Sequence, residues 1–210
     1  MQLDTDAILW SEPEEERAGR PLLVLLHGYG SNEGDLFGLR PYFPDELVVA
    51  SLRAPLSAPS GWTWRPIEGE GLEGAAEGSA RAADLVAEWM HTVAGSATSV
   101  GALGFSQGGM LSLMMLRRHP ELLDYAVVLS GGMVGGAQPG DERLAEIQPP
   151  VFFGYGTVDA AIQASTFAAT AEWLPAYTTE TVRSYPGLGH SVSETELGDI
   201  RAFLDARLSV

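Results

Sequence analysis

Neither cysteine nor lysine occurs anywhere in the 210 residues of this chain. The first absence excludes disulfide scaffolding, thiolate metal sites and a cysteine nucleophile. The second excludes Schiff-base chemistry and a serine/lysine pair, and leaves arginine to carry every permanent side-chain positive charge. Positive charge is itself scarce, with 12 basic residues against 28 acidic ones and a formal net charge of −16. Nucleic acids and anionic membrane surfaces recruit proteins through Lys/Arg clusters, so neither is an expected partner. No run approaches the ~18 uninterrupted apolar residues of a membrane span, so no stable membrane association is expected. Residues 1–20 are acidic where a secretion signal would be basic and then apolar, which makes the cytoplasm the expected compartment.

A hydrophobic content of 45% with 19% charged residues describes a globular chain, not a disordered one. The length suits a single domain over residues 1–210 with a core of its own. No internal repeat, heptad or low-complexity tract interrupts it. Apolar runs beginning at Pro21 and spanning Leu47–Leu52, Val100–Phe105, Tyr125–Leu129, Val151–Tyr155 and Thr178–Tyr185 read as strands. Helical spacing follows Asn32, then covers Ser79–Val93, Met110–Leu116, Ile162–Leu174 and Glu194–Leu208. Residues 2–10 suit an antiparallel edge strand. Strands alternating with helices predict an α/β fold, a mostly parallel sheet covered on both faces, with function gathered at the C-terminal strand ends.

The stretch with the sharpest chemistry is Ser99–Arg118, SVGALGFSQGGMLSLMMLRR, centred on Ser106. An apolar strand breaks at Gly104, Ser106 and Gly108, then resumes as a helix. In GxSxG the serine sits in a strained backbone conformation, and glycines flank it because side chains there would strike the strand and helix. A plain Gly-rich turn cradling a phosphate on the helix N-terminus has the same outline. The difference lies in whether Ser106 has partners.

Of four histidines, His27 ends a strand, His91 falls inside a helical pattern, and His119 sits at a helix C-terminus where it would face the last carbonyls. His190, in the glycine-punctuated loop PGLGHS after the last strand, has the address of a catalytic base. Asp159 follows the Val151–Tyr155 strand, whereas Asp141 lies in a long loop and Asp124 precedes a strand. Ser106, Asp159 and His190 therefore stand in the chain order of α/β-hydrolases. A catalytic serine needs an imidazole as general base, and the imidazole needs a carboxylate to fix its tautomer. Two backbone N–H groups must also face the developing oxyanion; Gln107 and, in the HGYG turn, Tyr29 are the candidates. Residues 54–78, rich in Pro, Gly and Glu, form an excursion too long for a plain connection, with Trp62 and Trp64 as candidate substrate-binding residues.

With these residues assembled, the chain resembles the small phospholipase/carboxylesterase family of α/β-hydrolases, relatives of acyl-protein thioesterases. LLHGYGSNEGDL looks like the family's LHGxGxxxxD segment, GFSQGG matches its nucleophile motif, and GLGHSVSETEL is similar to its closing GxGHxxxxEE. The family's HGxxDxxVP around the acid reads YGTVDAAIQ here, which keeps Asp159 but loses a histidine and a proline. The resemblance implies a single α/β-hydrolase domain and a serine hydrolase that cleaves small ester or thioester substrates, a reaction that water completes with no cofactor and no metal. A chain this short leaves no room for a large lid, so an open cleft selective for short to medium acyl chains is expected. A non-catalytic ligand-binding protein on the same scaffold, and an acyl-protein thioesterase or lysophospholipase, are the alternatives. A homodimer is left open.

Overall fold

The computed structural model describes residues 1–66 and 71–208. In chain order it contains β1 (Leu9–Trp10), β2 (Leu22–Leu26), α1 (Glu33–Phe37), β3 (Val48–Leu52), β4 (Leu56–Ala58), β5 (Gly61–Thr63) and α2 (Gly71–Val93). Then follow β6 (Val100–Phe105), α3 (Gln107–Arg118), β7 (Tyr125–Leu129), α4 (Asp141–Ile147), β8 (Pro150–Gly156), α5 (Ala164–Trp173), β9 (Thr179–Tyr185) and α6 (Glu194–Leu208). Seven strands form one sheet in the order β1-β3-β2-β6-β7-β8-β9, with β4 and β5 a separate hairpin. All neighbours in the sheet run parallel except β1, which pairs antiparallel with β3 through Leu9↔Ser51 and Trp10↔Ala50.

The central strands are apolar on both faces because both faces are covered. Along β2, Leu22, Val24 and Leu26 enter one core with α2, α3 and α5, where Ala82, Val86, Met90, Leu111, Met115 and Phe167 are buried. The intervening Leu23 and Leu25 face the opposite core with α1 and α6, beside Leu36, Ile200, Phe203 and Leu204. This is the period of two expected of a strand, with each fully buried Leu contributing about 1.5–3 kcal/mol. Asn32 caps α1, its side chain accepting from the Gly34 N–H at 2.8 Å.

Three local expectations change. The excursion at 54–78 contains the β4–β5 hairpin, but α2 already begins at Gly71 within it, ahead of the expected Ser79. Glycines at 71, 74 and 78 mask the helical signal, and tertiary packing of the following turns overrides that weak preference. Residues 67–70 lie outside the described part. Asp141 does not lie in a long loop but opens α4, where it receives two hydrogen bonds from the buried Arg117 at 2.9 and 2.7 Å. His119 turns its ring to Asp84 at 2.8 Å rather than to the helix carbonyls, because a carboxylate is the stronger acceptor. No described helix is long and apolar enough to cross a membrane.

Candidate active site

The connection after β2 leads to β3 on one side of it, whereas the connection after β6 leads to β7 on the other. A crevice therefore opens at the carboxyl ends of the adjacent strands β2 and β6, the usual ligand position in such sheets. Their register sets Leu26 beside Gly104, so the His27–Gly30 turn stands next to Ser106. An atom added at the Cβ position of Gly28 would come within 3.5 Å of Ser106 Cβ and 3.3 Å of the Phe105 ring.

Ser106 has φ 54° and ψ −116°, outside the helical and extended regions. Such a backbone costs about 1–3 kcal/mol and survives only where its surroundings over-determine it. They do so here: the Ser106 N–H donates to Leu129 O at 2.8 Å, and its carbonyl accepts from the Met110 N–H at 3.0 Å. A Cβ at Gly104 would stand 2.0 Å from Gly108 O, and one at Gly108 would stand 1.8 Å from Leu26 O. Only glycine lets strand, turn and helix close so tightly, which leaves the serine half-buried at the crevice.

Asp159 and His190 meet across two interlocked loops. Val158 N–H donates to Leu188 O at 3.1 Å and Gly187 N–H to Thr157 Oγ1 at 3.0 Å. His190 Nδ1 lies 2.7 Å from Asp159 Oδ2, and the other carboxylate oxygen accepts from the N–H groups of Ala161 and Ile162 at 2.8 and 3.0 Å. Those two amides hold the carboxylate in the altered loop YGTVDAAIQ without the family's usual proline. Burial alone would raise the Asp159 pKa, but Ile162 N–H, His190 and Ala161 N–H together hold it below the ordinary carboxylate value. The ionised carboxylate only accepts, so Nδ1 carries the proton, and in the neutral imidazole Nε2 is the nitrogen left to accept one. The Asp159 side chain is 0% exposed and that of His190 26%: the acid is shielded while the imidazole is reachable. The imidazole packs against Phe105, the residue before Ser106, with ring centroids 4.8 Å apart.

Among the described residues, neither the Tyr29 nor the Gln107 N–H donates a hydrogen bond. Trp62 is half-buried, with the Arg53 guanidinium 5.0 Å from its ring centroid. Trp64, expected as a substrate-binding residue, is 1% exposed and has no surface to offer one. Its indole N–H instead donates to His27 O at 2.9 Å, supporting the turn from beneath. His27 is fully buried, and burial holds its pKa below the ordinary value. Its Nε2 accepts from Ala54 N–H at 3.1 Å, so Nδ1 carries the proton and donates to Gly28 O at 2.7 Å. Nothing in the local sequence distinguishes the buried tryptophan from its neighbour. A cleft of about 530 Å³ runs along Ala75, Met110, Met133, Val134, Gly136 and Thr166. A smaller one of about 270 Å³ lies against His190, Phe105, Asp35 and Val192.

A sheet covered on both faces, with a strained serine at its crevice and an aspartate–histidine pair on later strand-end loops, defines the α/β-hydrolase class. A model of the phospholipase/carboxylesterase family matches residues 12–208. The chain belongs to that family. It is 36% identical over 112 residues to acyl-protein thioesterase 1 of Debaryomyces hansenii, covering 49% of this chain and 45% of that protein. It is 33% identical over 107 residues to carboxylesterase SOBER1 of Arabidopsis thaliana, covering 50% and 47%. The chain thus spans about half the length of these curated relatives. The crystal structure of the Bacillus cereus carboxylesterase superposes with a TM-score of 0.80 at 20% identity, covering 95% of this chain and 93% of that one.

Proposed function

We propose that this chain is a cytoplasmic serine hydrolase that cleaves small carboxylic esters or thioesters through an acyl-enzyme on Ser106. The observation that carries the reading is the Asp159–His190 hydrogen bond, 2.7 Å long, on a ring packed against the residue before the strained serine. His190 Nε2 takes the proton from Ser106 Oγ as the oxygen attacks the acyl carbon, and Asp159 stabilises the resulting imidazolium. The N–H groups of Tyr29 and Gln107 receive the oxyanion. His190 returns the proton to the leaving alcohol or thiol, and water, activated the same way, releases the acid. No cofactor or metal enters these steps.

The larger, methionine-lined cleft suits an acyl chain of short to medium length, and the smaller one beyond His190 suits the leaving group. Trp62 belongs to the rim, because its backbone bonds to Gly30 and Ser31 at the turn's tip. The names of the relatives, a thioesterase and a carboxylesterase, favour the same chemistry. The test is hydrolysis of p-nitrophenyl butyrate and butyryl thioesters by the wild-type protein and Ser106→Ala. Loss of at least about a thousandfold in kcat, with fluorophosphonate labelling only when Ser106 is present, supports the proposal. Undiminished turnover by Ser106→Ala refutes it; a wild-type protein that neither turns over nor labels is instead a binding protein on this scaffold.

A further inference from the structure

The proton transfers above require nothing of the Gln107 side chain, since the proposed oxyanion donor is its backbone N–H. Yet this carboxamide is 5% exposed and uses both ends. Oε1 accepts from Trp64 N–H at 2.8 Å and lies 3.0 Å from Thr63 Oγ1, while Nε2 donates to Arg65 O at 3.1 Å. This network fixes the amide's orientation, because a flipped amide would set its NH₂ against the Trp64 N–H. The single Thr63 hydroxyl proton can go to Gln107 Oε1 or to Arg65 O, and both lie within reach. Gln107 therefore binds three consecutive residues at the end of the β4–β5 hairpin.

The same hairpin binds the HGYG turn on both sides of Tyr29. Trp62 O accepts from Gly30 N–H and Trp62 N–H donates to Ser31 O, each at 2.8 Å. Ser60 Oγ reaches Gly30 O at 3.2 Å. On the near side the Trp64 indole donates to His27 O at 2.9 Å, and Ala54 N–H donates to His27 Nε2 at 3.1 Å. The base of the turn also meets α3 directly at Gly108, where there is no room for a side chain. Its tip is different: beyond the turn and α1, the backbone bonds of Gly30 and Ser31 go to the hairpin, among the described residues.

We propose that the Gln107 carboxamide is a positioning group that locks the β4–β5 hairpin to the elbow and, through it, holds the Tyr29 N–H in register with Gln107's own. One residue thus supplies an oxyanion donor from its backbone and places the other with its side chain. This deepens the serine-hydrolase reading and rests on it for the catalytic consequence. An oxyanion donor acts only if it is already aimed when charge develops, so a loosened Tyr29 costs kcat more than KM.

The experiment compares wild type with Gln107→Leu and Gln107→Glu, each checked for folding by circular dichroism. Gln107→Leu keeps the volume but leaves the Trp64 N–H without its acceptor and the Arg65 carbonyl with the Thr63 hydroxyl in place of the Gln107 amide. It should lower kcat about tenfold or more on p-nitrophenyl butyrate, with KM changed less than about threefold. Its Trp64 and Gly30 amides should exchange with solvent faster, while those of β7 do not change. Gln107→Glu restores the donor to Arg65 O only when protonated; ionised, it sets a second acceptor against that carbonyl. Its kcat relative to wild type should therefore rise as the pH falls, a trend that a volume effect would not produce. A Gln107→Leu kcat within twofold of wild type, unchanged exchange at Trp64 and Gly30, or a flat Gln107→Glu ratio would each overturn the proposal. Absence of wild-type turnover would refute the hydrolase reading instead, and amide exchange would still decide whether the clamp exists.

Discussion

Glu196 offers a quantitative test of how the two loops of the site are seated. It lies in the first turn of α6, just after the His190 loop, with its carboxylate over β8, the strand that leads to Asp159: a Cβ at Gly154 would be 2.3 Å from Oε1. The residue is 1% exposed, and neither carboxylate oxygen accepts a hydrogen bond of good geometry among the described residues. Burial pushes its pKa from 4.5 to about 7, with a further push from Asp199, while the nearby Ser193 N–H holds it down in part. That rise corresponds to about 3 kcal/mol. The sign follows from the folded state holding this proton more tightly than the unfolded one. The contribution is fully present below the ordinary carboxylate range, is lost as pH climbs towards 7, and stays lost above it. Glu196→Gln has no such titration, so whatever constant offset its amide introduces, the stability gap between the proteins should change by about 3 kcal/mol from about pH 4 to about pH 8, in the variant's favour. In melting temperature this is about 6–12 °C for a domain of this size. Urea titrations of both proteins across that range provide the measurement. Parallel stability curves would refute the reasoning and mean that Glu196 is solvated or paired.

Asp159→Asn should preserve the fold and melting temperature yet lower kcat about a thousandfold or more, since an amide facing Nδ1 favours the wrong imidazole tautomer; steady-state kinetics with thermal melts decide it. Because Asp159 is held below the ordinary carboxylate value, it should stay ionised through the neutral range and add no limb there to the pH profile of kcat. Arg117→Met should destabilise the protein by about 3–5 kcal/mol, because it strands Asp141 and frees Val134 O and Gly136 O in the wall of the larger cleft. The double variant Arg117→Met/Asp141→Leu should recover most of that loss in denaturant titrations. Gly108→Ala, with its new methyl 1.8 Å from Leu26 O, should cost about 3 kcal/mol or more, while Gly136→Ala, which meets nothing within 4 Å, should be close to neutral.

The elements that were readable in advance are those whose pattern is local. β7 and α6 occupy Tyr125–Leu129 and Glu194–Leu208 as expected, since an unbroken apolar run and a helical period each report burial without reference to the rest of the chain. The beginning of α2 was not readable in advance, because its glycines argue against a helix that packing imposes.

Local pattern sets a serine, an aspartate and a histidine after the ends of three different strands, because glycines mark each strand end and strand ends in a parallel sheet share one edge. Tertiary structure alone decided which side chains meet there. Asp159 and His190 are 31 residues apart, and their contact exists because β8 and β9 pair in parallel and their following loops interlock. Trp62 and Trp64 share one short segment, yet one remains half-exposed and the other is buried by partners far away in the chain, His27 and Gln107. Burial depends on such distant neighbours, which no local pattern encodes, and so the support beneath the HGYG turn emerged only once the chain was folded.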